Sequence, residues 1–481
     1  MNISQVQRQS LIAFSSTIVT TLIGFLSTIY FAHILGPAPL GVYFLFIAYF
    51  GIFNLVGDGG FGGAAVKRIS EGKDQDEYFS AFVFIRVVLL ALSITALLCA
   101  EPYLKDITSS GIFFWLLLAL FIAVFQNSVG SGVYGSGKVG IHQLSLIAEW
   151  LFRVLIQVVF VYLGYSAAGL AGGFVVGLLA GGIVQFRYLE LRLVRFRLFH
   201  VKNLSTFSFW IFLTSSGSLI FSYTDTILIS FFMNTADIGI YRTALQLASV
   251  GSFSTLAFQT VLYPKISNWA ASGHLSEVEN SLARACTYSL FLAIPTCIGG
   301  WILGDRLLDY LYGASFTDGT VPLFILLFVQ VVNIFMFLGT MCLNALDHPK
   351  EAFSITFIAS LANILLNIAF IPVMGITGAA IATLIAMAVN AIGAFILLSR
   401  VITVKIEYTS VEKILCAAGI MGIFLLVIRF IFPFTHIAIV LAAVLTSATL
   451  YLFVLLRWDR EIRDEIRNLT VTMGFPWPRW L

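Results

Sequence analysis

Charge is scarce in this chain. Lys and Arg number 27 and Asp and Glu 24 among 481 residues, 11% in all, where a soluble domain carries about 25%. So few charges cannot cover a water-soluble surface, so the bilayer must serve as solvent. Cysteine is equally sparse. Cys99, Cys286, Cys297, Cys342 and Cys416 lie in or at the ends of apolar runs, and their spacing fits no metal site. They read as small packing residues. The six histidines are scattered, and no Ser/His/Asp or Cys/His arrangement is present. Polar segments are short as well, and none is large enough for a separate water-soluble catalytic domain. The period-two alternation of barrel strands is missing, which excludes a membrane barrel.

What the chain has is hydrocarbon. Hydrophobic residues make up 59% and mean hydropathy is +0.97. The apolar runs are continuous and about 20 residues long, the length of a membrane-spanning helix. Lipid offers no partner to backbone N–H and C=O, so each run must be helical. The reading is an all-α polytopic membrane protein of about fourteen transmembrane helices. They fall at 11–33, 40–57, 80–100, 111–134, 144–164, 167–188, 207–233, 238–262, 285–304, 321–345, 352–372, 375–399, 411–432 and 436–456. The first run is long for a signal peptide and lacks a small-residue cleavage site, so it is expected to remain as a helix.

Lys and Arg orient the spans. With the N-terminus in the cytoplasm, Lys67, Arg68, Lys73, Lys138, Arg192, Arg195, Arg197, Lys202, Lys265, Arg284, Lys350, Arg400, Lys405 and Lys413 fall inside. The tail adds Arg457, Arg460, Arg463, Arg467 and Arg479, against Lys105, Arg306 and Arg429 outside. Both termini are therefore expected in the cytoplasm of a multi-pass protein of the cell membrane. The net charge of +3 reflects this asymmetry and gives no reason to expect nucleic acid as a partner.

Two echoes divide the chain. Leu40-Gly41-Val42-Tyr43 returns as Ile238-Gly239-Ile240-Tyr241, and Gly169-Leu170-Ala171-Gly172-Gly173 returns as Gly375-Ile376-Thr377-Gly378-Ala379. The offsets, 239 − 41 = 198 and 375 − 169 = 206, are nearly equal. They suggest a duplicated bundle, the common build of a transporter. The expected organisation is an N-terminal six-helix lobe over 1–190, a basic cytoplasmic linker over 191–206 and a C-terminal six-helix lobe over 207–400. Two additional helices follow over 401–456, then a cytoplasmic tail over 457–481. In the linker Arg192, Arg195 and Arg197 alternate with apolar residues, as in a segment lying along the inner membrane surface against anionic headgroups.

Gly132-Val133-Tyr134-Gly135-Ser136-Gly137-Lys138 resembles a phosphate-binding loop. Val139 stands where the Mg²⁺-binding Ser or Thr belongs, and a membrane span precedes it instead of a strand. A tight cytoplasmic turn is the better reading. No cofactor and no metal are expected, and the chain is not expected to be an enzyme.

Ionisable residues inside spans are costly and by default functional. Arg86 lies two turns into the third span without a partner on its own helix. Glu149 and Arg153 stand one turn apart in the fifth. Asp225 is inside the seventh and Arg242 just inside the eighth. Asp58 closes the second span among Gly57, Gly59, Gly60, Gly62 and Gly63. Structural roles compete with functional ones: Glu149 with Arg153 and Asp225 with Arg242 as neutralising pairs, Asp58 as a cap of the glycine-rich turn. Asn363 and Asn367, one turn apart, suit helix-to-helix hydrogen bonding, and Pro295 a kink. Together the charges imply a water-filled interior whose arginines suit an anionic solute.

Several stretches resemble one family. Asp225-Thr226-Ile227-Leu228-Ile229 with Ile238-Gly239-Ile240-Tyr241-Arg242-Thr243-Ala244, Leu262-Tyr263-Pro264-Lys265-Ile266-Ser267, Asn363–Pro372, Gly375–Thr383 and Leu40–Tyr43 are similar to polysaccharide (O-antigen-type) flippases. These are a branch of the multidrug/oligosaccharidyl-lipid/polysaccharide exporter superfamily. The resemblance implies two pseudo-symmetric six-helix lobes around a central cavity, plus two extra helices. The implied substrate is a polyprenyl-linked glycan, turned from the cytoplasmic to the outer leaflet by alternating access. A coupling ion, H⁺ or Na⁺, membrane lipids and polysaccharide-assembly proteins are the further partners it suggests. On this reading Arg86, Arg153 and Arg242 bind substrate, while Glu149, Asp225 and Asp58 tune them or carry a coupling proton. The competing expectations are a multidrug/cation antiporter of the same superfamily, whose cavity should favour acids, and a membrane polysaccharide polymerase.

Overall fold

A computed structural model describes residues 5–464 and residue 467; most of the expected tail lies outside them. Among the described residues helices predominate, joined by turns and short irregular segments, and no strand is present. In order the helices are α1 (Gln5–Leu35), α2 (Pro37–Asp58), α3 (Phe61–Ser70), α4 (Gln75–Ala100), α5 (Lys105–Ser109), α6 (Phe113–Gly135), α7 (Val139–Tyr162) and α8 (Ser166–Phe186). There follow α9 (Leu198–Phe232), α10 (Thr235–Ala248), α11 (Phe253–Ala271), α12 (Leu275–Tyr312), α13 (Thr320–Ala345), α14 (Pro349–Leu398), α15 (Tyr408–Ile431) and α16 (Ile437–Trp458). The chain divides into two compact units, Met1–Arg242 and Thr243–Leu481.

Among the described residues eleven helical segments are long and apolar enough to cross a membrane, and Leu219–Phe232 is a shorter apolar stretch. One of the eleven, α14, holds 50 residues, about 75 Å at 1.5 Å per residue, far more than the roughly 30 Å hydrocarbon layer. Gly375 breaks it, at φ 59° and ψ −142°, so two consecutive spans meet where the expected boundary falls. The region expected as a single span over 238–262 is interrupted: α10 ends at Ala248 and a 3₁₀ segment, Ser249–Ser252, precedes α11. Its hydroxyls turn back on the chain, Ser249 Oγ to Gln246 O at 2.7 Å and Ser252 Oγ to Ser249 O at 3.0 Å. Such local bonds compete with a continuous helix. The short α3 falls between expected spans, and buries Ala64, Ala65 and Ile69.

In the first unit α8 packs on α7 through its glycines. A Cβ placed on Gly173 would lie 2.3 Å from Gln157 Cγ and 2.7 Å from Gln157 N. One on Gly177 would lie 2.7 Å from Arg153 Cβ and 2.9 Å from Glu149 O. The two backbones therefore meet almost directly, as small residues allow in lipid. After α8 the basic segment has no regular secondary structure and is pinned to the start of α4. Val194 N donates to Ser80 Oγ (2.8 Å) and Arg192 N to Asp76 Oδ1 (2.9 Å), and Leu191 and Phe196 pack on the cluster around Phe79 and Phe82.

In the second unit Asn363 Nδ2 donates to Thr383 Oγ1 at 3.2 Å, a bond between the two parts of α14 and the role expected of Asn363. Tyr451 OH on α16 donates to Phe291 O on α12 at 2.7 Å. At the end of α16 the buried Asp459 meets Lys413 Nζ of α15 at 3.4 Å and accepts from the backbone N–H groups of Glu461 and Ile462. Burial pushes its carboxyl up, but the Ile462 N–H, Ser410 and Lys413 outweigh it and hold the group below the ordinary carboxylate range.

Two glycine substitutions, at Gly173 in the α7–α8 contact and at Gly419 on α15 as a control, test the close approach. Gly173→Ala should lower stability by about 1–3 kcal/mol, the range for overpacking a tight contact. Gly419→Ala, where a Cβ meets nothing within 4 Å, should be neutral or stabilising by about 0.5–1 kcal/mol. Thermal melts of the detergent-purified variants read both. Equal melting of Gly173→Ala and the parent would refute the close contact.

Candidate functional site

Ser145, Glu149, Arg153 and Gln157 stand at successive four-residue steps on α7 and are all buried. That spacing aligns them on one face, the face against α8. Arg153 Nη2 donates to Glu149 Oε1 in a short contact. Glu149 Oε2 accepts from Gln126 Nε2 of α6 at 2.6 Å. The guanidinium lies over the rings of Trp150 and Phe174, 4.4 and 4.2 Å from their centroids. Gln157 Nε2 donates to Tyr43 OH and to Leu170 O, each at 2.9 Å. Both charged side chains are only 8% exposed, so the pairing expected from their spacing is present and deeply desolvated.

A second pair joins α4 to α2. Arg86 is fully buried and its Nη1 meets Asp58 Oδ1 at 2.9 Å. The partner missing from its own helix is thus supplied by a neighbour. Asp58 also accepts from Gly62 N at 3.4 Å, so it both serves the glycine-rich turn and neutralises Arg86. Arg86 Nε and Nη2, and Arg153 Nε, are buried without a hydrogen-bond partner among the described residues. Each such group costs desolvation until something accepts from it.

The third cluster lies between α9 and the start of α10. Asp225 Oδ2 accepts from Tyr241 OH at 2.5 Å. Arg242 Nη1 donates to Ser222 O at 3.3 Å and its guanidinium stands 5.7 Å from the Phe44 ring and 5.8 Å from that of Tyr223. Of the six expected site residues, Glu149 pairs with Arg153 and Asp58 with Arg86, while the bond seen for Asp225 is to Tyr241 and that of Arg242 to Ser222 O, in place of the pairing expected between the two. The glycine-rich turn before Lys138 joins two helices, and Lys138 Nζ bonds Tyr188 O at 2.9 Å and Glu190 Oε1 at 2.7 Å. Among the described residues no three His, Cys, Asp or Glu gather as a metal ion needs.

Sequence reasoning missed Gln126, Gln157 and Tyr43. The four-residue polar rhythm of α7 pointed to Gln157. Gln126 and Tyr43 carry no such mark, since neutral polar residues are common in spans. Chemically, a guanidinium with unused N–H groups can take phosphate oxygens in bidentate fashion. A carboxylate beside it balances the charge when the site is empty.

Comparison with known proteins bears on the family and the fold. The family described as "Polysaccharide biosynthesis protein" matches residues 6–269. The "Probable low-salt glycan biosynthesis flippase Agl15" of Haloferax volcanii is 26% identical over 84% of this chain and 86% of its own length. The "Probable flippase AglR" of the same organism is 27% identical over 97% and 98%. A solved structure, "Lipid II flippase MurJ, inward closed conformation", aligns at TM-score 0.79 and 19% identity, covering 93% of this chain and 99% of that one. At that identity the likeness establishes the fold, and it bears out the expected fold class; it does not fix the number of spans at fourteen.

The Glu149–Arg153 pair yields a stability test. Arg153→Met alone should cost about 3–5 kcal/mol, because it strands a buried carboxylate. The double variant Arg153→Met with Glu149→Gln should recover most of that loss. Melting temperatures of the two single variants and the double variant decide it, and additive losses would show that the residues do not act as a pair.

Proposed function

The chain belongs to the polysaccharide biosynthesis protein family, and we propose that it turns a lipid-linked oligosaccharide from the cytoplasmic to the outer leaflet of the cell membrane. Relatives that span nearly the whole chain bear the name flippase, and the fold is shared with a lipid II flippase. The observation that carries the reading is the set of buried arginines with hydrogen-bonding capacity to spare. A sugar–phosphate headgroup cannot enter hydrocarbon without replacing its hydration, and guanidinium groups supply that replacement. The polyprenyl tail can stay in lipid while the headgroup moves. The protein acts as a transporter, and no covalent step is required of it.

In this proposal Arg86, Arg153 and Arg242 hold the anionic headgroup. Asp58 and Glu149 compete with it for the guanidinium groups of Arg86 and Arg153, so binding stays weak enough for release, and Asp225, bonded to Tyr241 next to Arg242 in the chain, is a further carboxylate. A proton or Na⁺ exchanged at one of these carboxylates would give coupling. The Lys and Arg distribution supports placing both termini in the cytoplasm. The balance of Arg86, Arg153 and Arg242 against Glu149, Asp225 and Asp58 does not favour a cationic drug, for which the cavity should carry more acids than bases.

The test is transfer in proteoliposomes loaded with a fluorescent polyprenyl-pyrophosphate sugar, with headgroup exposure followed by a membrane-impermeant quencher. The triple variant Arg86→Ala, Arg153→Ala, Arg242→Ala should transfer at least about tenfold more slowly, since losing even one charge-assisted contact costs roughly 1.5–3 kcal/mol. Transfer at the parent rate by a folded triple variant would remove the arginines from the mechanism.

A further inference from the structure

The first unit contains a pocket of about 430 Å³ at the end where α6 turns into α7. Its polar lining is Gln126, Asn127, Ser131, Tyr134, His142 and Gln185, drawn from α6, α7 and α8. Among the described residues none of its lining side chains is Lys, Arg, Asp or Glu. The volume falls in the range of small-molecule sites, about 300–1,000 Å³, and far exceeds the roughly 30 Å³ share of one water.

One atom points to a ligand. Gln185 is 1% exposed, and its Oε1 has no hydrogen-bond partner among the described residues. Its Nε2 is fixed by a short bond to Ser145 Oγ and lies 3.5 Å from His142 Nδ1. The acceptor sits against Gly130, where a Cβ would come within 2.6 Å of it. Glycine at that position leaves the amide room to turn this acceptor toward the pocket wall. Leaving a buried acceptor unpaired costs about 1–3 kcal/mol, which a bound hydroxyl would recover.

We infer that this pocket is a saccharide subsite, in which Gln185, with Asn127 and Ser131, reads the hydroxyl or amide groups of a sugar unit of the lipid-linked substrate. The inference rests on the flippase reading above. A sugar hydroxyl is donor and acceptor at once, and so are Gln, Asn and Ser side chains. A phosphate would demand cations that the lining lacks, and a lipid chain would leave these polar groups unsatisfied. Tyr134, 40% exposed and edge-on to His142 at 5.2 Å between centroids, offers a ring face to the apolar side of a pyranose.

The position suits the same substrate. Gly62, in the pocket wall, donates its N–H to Asp58 of the Arg86 pair. Gln126, also in the wall, donates to Glu149 of the Arg153 pair. The neutral pocket therefore borders both ion pairs. A phosphate held by either guanidinium would present its attached sugar to the amides. Sites built to bond a hydroxyl reject analogues that lack it strongly, because their own polar groups are then left unpaired. The pocket thus supplies selectivity, while the arginines supply charge.

Equilibrium binding to the full chain in lipid nanodiscs tests this. The probes are bare polyprenyl pyrophosphate and the same carrier bearing one glucose or one N-acetylglucosamine. The parent should bind at least one sugar-bearing carrier about tenfold or more tightly than the bare one. Gln185→Met and, separately, Asn127→Leu should bring that ratio close to one, with melting temperatures confirming that each variant folds. A parent ratio near one for both sugars, or a ratio unmoved in both variants, overturns the saccharide subsite while leaving the flippase reading in place. If the parent binds none of the three carriers, the flippase reading itself falls, and the subsite with it.

Discussion

Putting an arginine into hydrocarbon is the constraint around which the first unit is organised. Arg153 can be buried only because Glu149 sits one turn away and two aromatic rings flank the guanidinium. That arrangement needs α7 to keep its polar face away from lipid along its length. The glycines of α8 make this possible by letting the backbones approach until no solvent fits between them. The helix hairpin and the ion pair are therefore one device. Arg86 solves the same problem differently, by borrowing a carboxylate from α2. In both cases the arginine keeps at least one N–H that no described residue bonds, a cost that a purely structural pair would avoid.

Much of this was legible because charge is so rare here. With so few ionisable residues, each one inside an apolar run stands out, and all six candidates fall in polar clusters of the first unit. Pairing along one helix was readable from spacing, as with Glu149 and Arg153. Pairing between helices was not: Asp58 and Arg86 are 28 residues apart, and no local pattern links them. The division of labour at the third cluster was also hidden, since Tyr241, valued in the sequence as part of a repeated turn, is the residue that bonds Asp225.

The spans show the same boundary of legibility. Run length and hydropathy locate helices well, and the glycine at 375 marks a break that a purely apolar count would pass over. The interruption at Ser249–Ser252 escaped because it lies inside an otherwise apolar stretch and depends on where two hydroxyls turn. Neutral polar residues such as Gln126 and Gln185 escaped for a related reason. Their cost in lipid is modest and their numbers ordinary, so only their convergence in space gives them meaning.

The repeated turn, finally, meets its own copy. A Cβ on Gly41 would lie 1.6 Å from Thr235 O, and one on Gly239 would lie 2.1 Å from Pro37 O. Pro37 and Thr235 are separated by 235 − 37 = 198 residues, as are Gly41 and Gly239. The contact is thus isologous in form, the kind two identical subunits make across a two-fold axis. Phe44 and Arg242 hold equivalent places at the same offset, and the guanidinium of one lies 5.7 Å from the ring of the other. In a homodimer that site would set like against like, and two arginines there would repel. Carried on a single chain, the two copies are free to differ. A cation over an aromatic ring at a self-facing position is a form of asymmetry open only to a chain that contains both copies.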